Sequence, residues 1–97
     1  MELSGKVVVV TGGASGIGTG LCRRFREEGV RALIIADLNG EAVAALADEL
    51  DAVGVTLDVR DEAAIAAMVS EVEAQFGQID LFCSNAGILN LDGGDFW

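Results

Sequence analysis

The hydrophobic positions of this chain fall in short blocks, separated by stretches of helical length in which apolar residues recur at helical spacing. Lys6–Val10 is a β-branched apolar run and predicts a first strand. It ends in Thr11-Gly12-Gly13. From about Gly16 to Glu28, Ile17, Leu21 and Phe25 recur at every fourth position with Cys22 beside them, which predicts a helix with one buried stripe. Arg23, Arg24, Glu27 and Glu28 take much of its outer face, and Gly29 stops it as a left-handed glycine would. Ala32–Ala36 is apolar throughout and predicts a second strand covered on both faces, closed by Asp37. Asn39 can cap a second helix running to about Leu50, with Val43, Leu46, Ala47 and Leu50 inward. Val53–Leu57 predicts a third strand, ending at Asp58-Val59. Asp61 can cap a third helix with Ile65, Met68, Val69, Val72 and Phe76 on one side and Gly77 at its end. Asp80–Ser84 predicts a fourth strand, followed by Asn85-Ala86-Gly87, and Ile88–Trp97 reads as a loop.

Strands alternating with helices argue for an α/β fold, a parallel sheet with helices on its faces. Right-handed crossovers then give strand order 3-2-1-4, the first half of a doubly wound, Rossmann-type dinucleotide fold. Residues 1–97 are accordingly read as the N-terminal, incomplete part of a single nucleotide-binding domain. The fourth strand would be an apolar edge, and such edges invite association. The natural protein is therefore expected to be longer, roughly 230–290 residues.

Composition narrows the function classes. Net charge is -10, with six Lys and Arg against sixteen Asp and Glu. That balance disfavours nucleic acid, which needs a basic face, and anionic membrane surfaces. Mean hydropathy is +0.46, too apolar for a disordered chain, but no run approaches the roughly 18 apolar residues that span a bilayer. Met1–Lys6 has neither a basic start nor a long apolar segment, so no secretory signal is read. There is no His and no Tyr, and Cys22 and Cys83 show no metal-ligand spacing, so no metal site is expected. The cysteines read as buried reduced thiols, in keeping with a cytoplasmic protein.

The chemistry concentrates in Thr11-Gly12-Gly13-Ala14-Ser15-Gly16-Ile17-Gly18, between the first strand and the first helix. Gly12 lets the chain turn off the strand, Gly16 lets a pyrophosphate approach the backbone, and Gly18 lets the helix pack near the sheet. The helix N-terminus then offers N–H groups and a positive dipole end to the phosphates. No Gly-Lys-Ser/Thr follows, which excludes a P-loop. Asp37 lies nineteen residues beyond Gly18, at the end of the second strand, where a carboxylate can accept from ribose hydroxyls and repel a 2′-phosphate. Ser15 and Leu38 stand where a cation could have paired that phosphate. The three together point to NAD over NADP.

These segments, with Asp58-Val59 and Ser84-Asn85-Ala86-Gly87, resemble the compact type of the short-chain dehydrogenase/reductase family over nearly the whole chain. The resemblance implies an oxidoreductase passing a hydride between NAD and a small alcohol or carbonyl substrate, working as a homo-oligomer, a tetramer or dimer. It implies that Thr11, Gly12, Ser15, Gly16, Ile17 and Gly18 hold the pyrophosphate and part of the adenosine ribose. Asp58 would accept from the adenine amino group, Val59 would offer its backbone to the ring, and Asn85, Ala86 and Gly87 would line the cofactor. Ser84 departs mildly from the family, which often has Asn there. The family's catalytic Tyr and Lys lie downstream of this segment, so no catalytic residue is assigned. Plain alternatives stand beside these roles: a turn at Asp37 or Asp58, and a strand exit at Asn85-Ala86-Gly87. At the level of function, the alternatives are a non-catalytic dinucleotide-binding module or an inactive fragment.

Overall fold

A computed structural model describes residues 3–12, 16–84 and 87–90, the last four through their backbone alone. The elements in order are β1 (Val7–Thr11), α1 (Gly16–Glu27), β2 (Ala32–Asp37), α2 (Gly40–Leu50), β3 (Val53–Thr56), α3 (Glu62–Phe76), β4 (Leu81–Ser84) and β5 (Gly87–Asn90). They form one sheet of order β3-β2-β1-β4-β5. β3, β2, β1 and β4 run parallel, as the alternating pattern predicts. β5 differs from the expected loop: it runs antiparallel to β4, with Ser84 opposite Gly87 and Leu81 opposite Asn90. The reason is physical, because β4 would otherwise present a row of unpaired backbone groups and the returning chain supplies partners for them.

The central strands are buried on both faces, and their side chains alternate between two cores. Val8, Val10, Leu33 and Ile35 pack with Cys22 and Phe25 of α1 and Leu46 of α2. Val7, Val9, Ile34 and Ala36 pack with Met68 and Val72 of α3 and with Ile79. A strand sandwiched this way cannot show hydrophobic-polar alternation, which is why β1 and β2 are continuous apolar runs. β3 is the exposed edge and its Gly54 lets α2 come close: a Cβ there would sit 2.9 Å from Val43 Cγ1 and 3.2 Å from Ala47 Cβ.

The helix ends are held by local chemistry. Asn39 and Asp61 cap α2 and α3, accepting from the N–H groups of Ala42 and Ala64 at 3.2 and 3.1 Å. Arg26 reaches from α1 to the end of α2, donating to the carbonyls of Leu50 (2.8 Å) and Asp51 (3.2 Å). Arg23 pairs with Glu49 beside it. Asp80 aligns β4 with β1 reciprocally: its carboxylate accepts from the Val7 N–H at 2.8 Å, and its own N–H donates to the Val7 carbonyl at 2.9 Å.

Candidate cofactor site

Parallel strands put all their C-terminal ends on one edge of the sheet. Chain order reverses between β1 and β4, since β2 and β3 lie on one side of β1 and β4 on the other. Splayed connections at such a switch point leave a crevice. A cavity of about 440 Å³ lies there, lined by Val10, Thr11, Gly16, Ile17, Gly18, Leu21, Cys83 and Ser84. Its walls are thus the ends of β1 and β4 and the first turns of α1.

Each wall follows from its sequence. Thr11 is buried and its hydroxyl donates to the Cys83 carbonyl at 3.3 Å, tying β1 to β4. Gly12 leaves the strand at φ 71°, a region closed to most L-residues, and its N–H donates to the Ala36 carbonyl at 2.7 Å. That is the sharp turn the motif predicts. Gly16 opens α1, and among the described residues a Cβ built there would meet no atom within 4 Å. The first turn of α1 carries no acidic side chain, whereas α2 and α3 begin with Glu41 and Glu62. Open space and a dipole end without an opposing carboxylate fit the phosphates of a dinucleotide.

Ile17 is a correction. The fourfold repeat puts it in the buried stripe, but it is 80% exposed at the cavity rim. The stripe that α1 buries is Gly18, Cys22 and Phe25, one position further round, with Leu21 half-buried beside it. Gly18, in the same turn, takes the buried place that the repeat assigns to Ile17.

The remaining predicted residues divide by place. Asp37 ends β2 with Leu38 directly after it, and Asp58 and Val59 follow β3. They sit on the same edge of the sheet but on the β2–β3 side, and none of them lines the cavity. The Leu57 N–H donates to the Asp37 carbonyl at 3.0 Å and holds the two segments together. Leu38 and Val59 are exposed apolar side chains beside the two carboxylates. Asp37 accepts from the Asn39 N–H at 3.3 Å. Ser15, Asn85 and Ala86 lie outside the described residues, and Gly87 is placed only as the first residue of β5.

Asp58 does form the turn weighed as its plain alternative. The Asp61 N–H donates to the Asp58 carbonyl at 3.0 Å, and the Arg60 N–H to Asp58 Oδ1 at 2.9 Å. The Arg60 side chain then grips both carboxylate oxygens, Nε to Oδ1 at 3.1 Å and Nη2 to Oδ2 at 2.9 Å. Those side-chain and backbone hydrogen bonds hold the carboxyl down at about 2. Arg60 beside Asp58, and Val10, Leu21, Cys83 and Ser84 in the cavity wall, carry no motif that marks them in the sequence. The available signal was position: Cys83-Ser84 ends β4 directly before the Asn85-Ala86-Gly87 motif.

Known proteins share this arrangement. The short chain dehydrogenase family profile matches residues 6–96. The 3beta-hydroxysteroid dehydrogenase 2 of Eggerthella lenta is 45% identical over 95 residues, covering 91% of this chain and 35% of its own. The 2-dehydro-3-deoxy-L-rhamnonate dehydrogenase (NAD(+)) of a Sphingomonas species is 44% identical over 86 residues, covering 88% and 34%. Among solved structures, a short chain dehydrogenase/reductase from Burkholderia phymatum in complex with NAD superposes with a TM-score of 0.80 at 31% identity, covering 84% of this chain and 31% of that one. The chain thus spans about a third of the length of these relatives. A Rossmann-type sheet, a glycine turn opening onto its switch point, and a profile match running nearly end to end agree: the chain belongs to the short chain dehydrogenase family.

Proposed function

We propose that this segment holds NAD for an oxidoreductase that passes a hydride between the nicotinamide and an alcohol or carbonyl compound. The observation that carries the reading is the cavity between the ends of β1 and β4, with the N-terminus of α1 in its wall and no side chain where Gly16 faces open space. Thr11, Gly12, Gly16, Ile17 and Gly18 would hold the pyrophosphate, with Ser15 completing the loop. Asn85, Ala86 and Gly87 would flank the cofactor further along the edge. Asp37 would accept from the ribose hydroxyls, with Leu38 beside the adenosine. Asp58 and Val59 would take the adenine. Bound there, NAD supplies the hydride acceptor.

This chain's own part is binding and orientation. It has no Tyr, and Lys6 is its only Lys, placed before β1 at the opposite end of the strand from the cavity. The proton-transfer residues of the proposed enzyme therefore lie outside these residues. The named relatives act on a hydroxysteroid and on a sugar acid, so they support the reaction type and leave the substrate open.

Calorimetric titration of the protein with NAD tests the reading. Saturable binding at one site per chain is expected. Absence of heat and of thermal stabilisation at millimolar NAD overturns it.

A further inference from the structure

Arg60 stands two residues after Asp58 and has 83% of its side chain exposed, yet it spends its guanidinium on one carboxylate. An ionised carboxylate offers about four lone-pair positions. Three are taken here: two on Oδ1, by the Arg60 N–H and Nε, and one on Oδ2, by Nη2. Among the described residues, nothing takes the fourth position, on Oδ2. The guanidinium fork is planar and rigid, so a two-point grip fixes the rotation of the carboxylate as well as its charge.

The turn makes the grip local. Asp58 and Asp61 are joined through the backbone, and Asp61 caps α3, so the Asp58–Arg60 pair is pinned between β3 and a helix start. Little chain entropy is lost in bringing the two side chains together, unlike a surface pair drawn from distant segments.

We propose that Arg60 is a positioning residue of the adenine subsite: its bidentate grip turns the Asp58 carboxylate so that the remaining Oδ2 position accepts the adenine amino group. This rests on the proposed NAD reading. Arg60 would not touch the cofactor and would act through Asp58 alone. The same contacts hold the Asp58 carboxyl well below the usual carboxylate range, so Asp58 stays an acceptor near neutral pH.

The test compares two dinucleotides, NAD and nicotinamide hypoxanthine dinucleotide, which carries a carbonyl oxygen in place of the adenine amino group. Affinities are measured by calorimetry for the unaltered protein, Arg60→Ala and Arg60→Lys. The unaltered protein should prefer NAD. Arg60→Ala should weaken NAD by about 3- to 10-fold, the scale of one ordinary net hydrogen bond, and leave the hypoxanthine analogue nearly unchanged. Arg60→Lys restores the charge without the fork and should recover only part of the preference. The carboxyl carbon of Asp58, followed by NMR, should titrate near 2 in the unaltered protein and move part of the way up in Arg60→Ala, whose backbone N–H still donates to Oδ1. Equal weakening of both dinucleotides, or an unchanged preference, overturns the inference while NAD binding itself stands. An unmoved Asp58 titration also overturns it. Failure of the unaltered protein to bind either dinucleotide overturns the functional reading, and this inference with it.

Discussion

Gly54 of β3 lies directly beneath Val43 of α2, so that a Cβ on the glycine would stand 2.9 Å from Val43 Cγ1. Real Cβ atoms do not come that close, and Val43 is buried and β-branched, with little freedom to turn aside. Gly54→Ala should therefore push α2 off the edge strand and cost about 1–3 kcal/mol, the usual range for overpacking. Chemical denaturation checks this. A neutral or stabilising Ala would show that α2 does not rest on β3 at this distance.

Asp51 ends α2 in the left-handed region at φ 53° and ψ 49°, and among the described residues it is the one non-glycine with positive φ. That conformation is strained for an L-residue, and a carboxylate at a helix C-terminus faces the negative end of the dipole. Gly removes both penalties. The Arg26 contact survives, because Arg26 donates to the Asp51 carbonyl. Asp51→Gly should stabilise by about 0.5–1.5 kcal/mol, raising the melting temperature by several degrees in a domain of this size. A lower melting temperature would mean that the Asp51 side chain contributes something beyond its backbone geometry.

Cys22 and Cys83 pack into the same core, and burial raises both thiols from 9.0 to about 11, Cys22 with a further push from Cys83. A raised folded-state value means the folded protein holds the proton more tightly than the unfolded chain. The stabilisation is complete below about pH 9 and is lost as pH rises from there through about 11. Melting temperature should accordingly fall across that window, and less steeply in Cys22→Ala. In the native protein near pH 7, both thiols should resist iodoacetamide until the protein unfolds. Rapid alkylation of the folded protein would contradict the burial of both.

Much of this fold is written in the sequence. The apolar runs at Val7–Val10 and Ala32–Ala36 declare doubly covered strands, and the caps Asn39 and Asp61 stand where the helices begin. The phase of α1 was harder to read, because Gly18, buried with Cys22 and Phe25, does not register as apolar while the exposed Ile17 does. β5 is not legible in the sequence because its pairing depends on the edge that β4 offers and on no pattern of its own. At the site, the glycine turn is local chemistry and legible. The grip of Arg60 on Asp58 depends on how the turn after β3 aims two side chains, and residue types alone do not say that.

Asp37 at the end of β2 should set the choice between cofactors. A 2′-phosphate brought against its carboxylate loses the ribose hydrogen bonds and meets like charge, costing about 2–4 kcal/mol. NAD should therefore bind at least about 30-fold more tightly than NADP, and Asp37→Ser should narrow the ratio mainly by improving NADP. Parallel titrations with both dinucleotides decide it. Equal affinities in the unaltered protein would remove Asp37 from the ribose.

Gly16 gives the most direct test of the loop. Among the described residues a Cβ at this position meets nothing within 4 Å, and φ at Gly16 is not in the left-handed region, so they offer no steric objection to a larger residue. The residue sits at the first position of α1, where β-branching costs only a few tenths of a kcal/mol in helix propensity. Gly16→Val should therefore melt close to the unaltered protein. The same open space is where the pyrophosphate would come against the helix N-terminus, and valine methyl groups would fill it and cover the N–H groups. NAD affinity should fall by about a hundredfold or more, since a displaced phosphate loses several charge-assisted hydrogen bonds together. The two readouts separate two roles for the glycine. A glycine needed only for the turn would lower the melting temperature and leave the affinity of the folded fraction intact. A glycine that makes room for phosphate would do the reverse. Thermal melts without ligand, followed by calorimetry with NAD on the same preparations, distinguish them, and a variant that melts normally and still binds NAD at full strength would remove the cofactor from this loop.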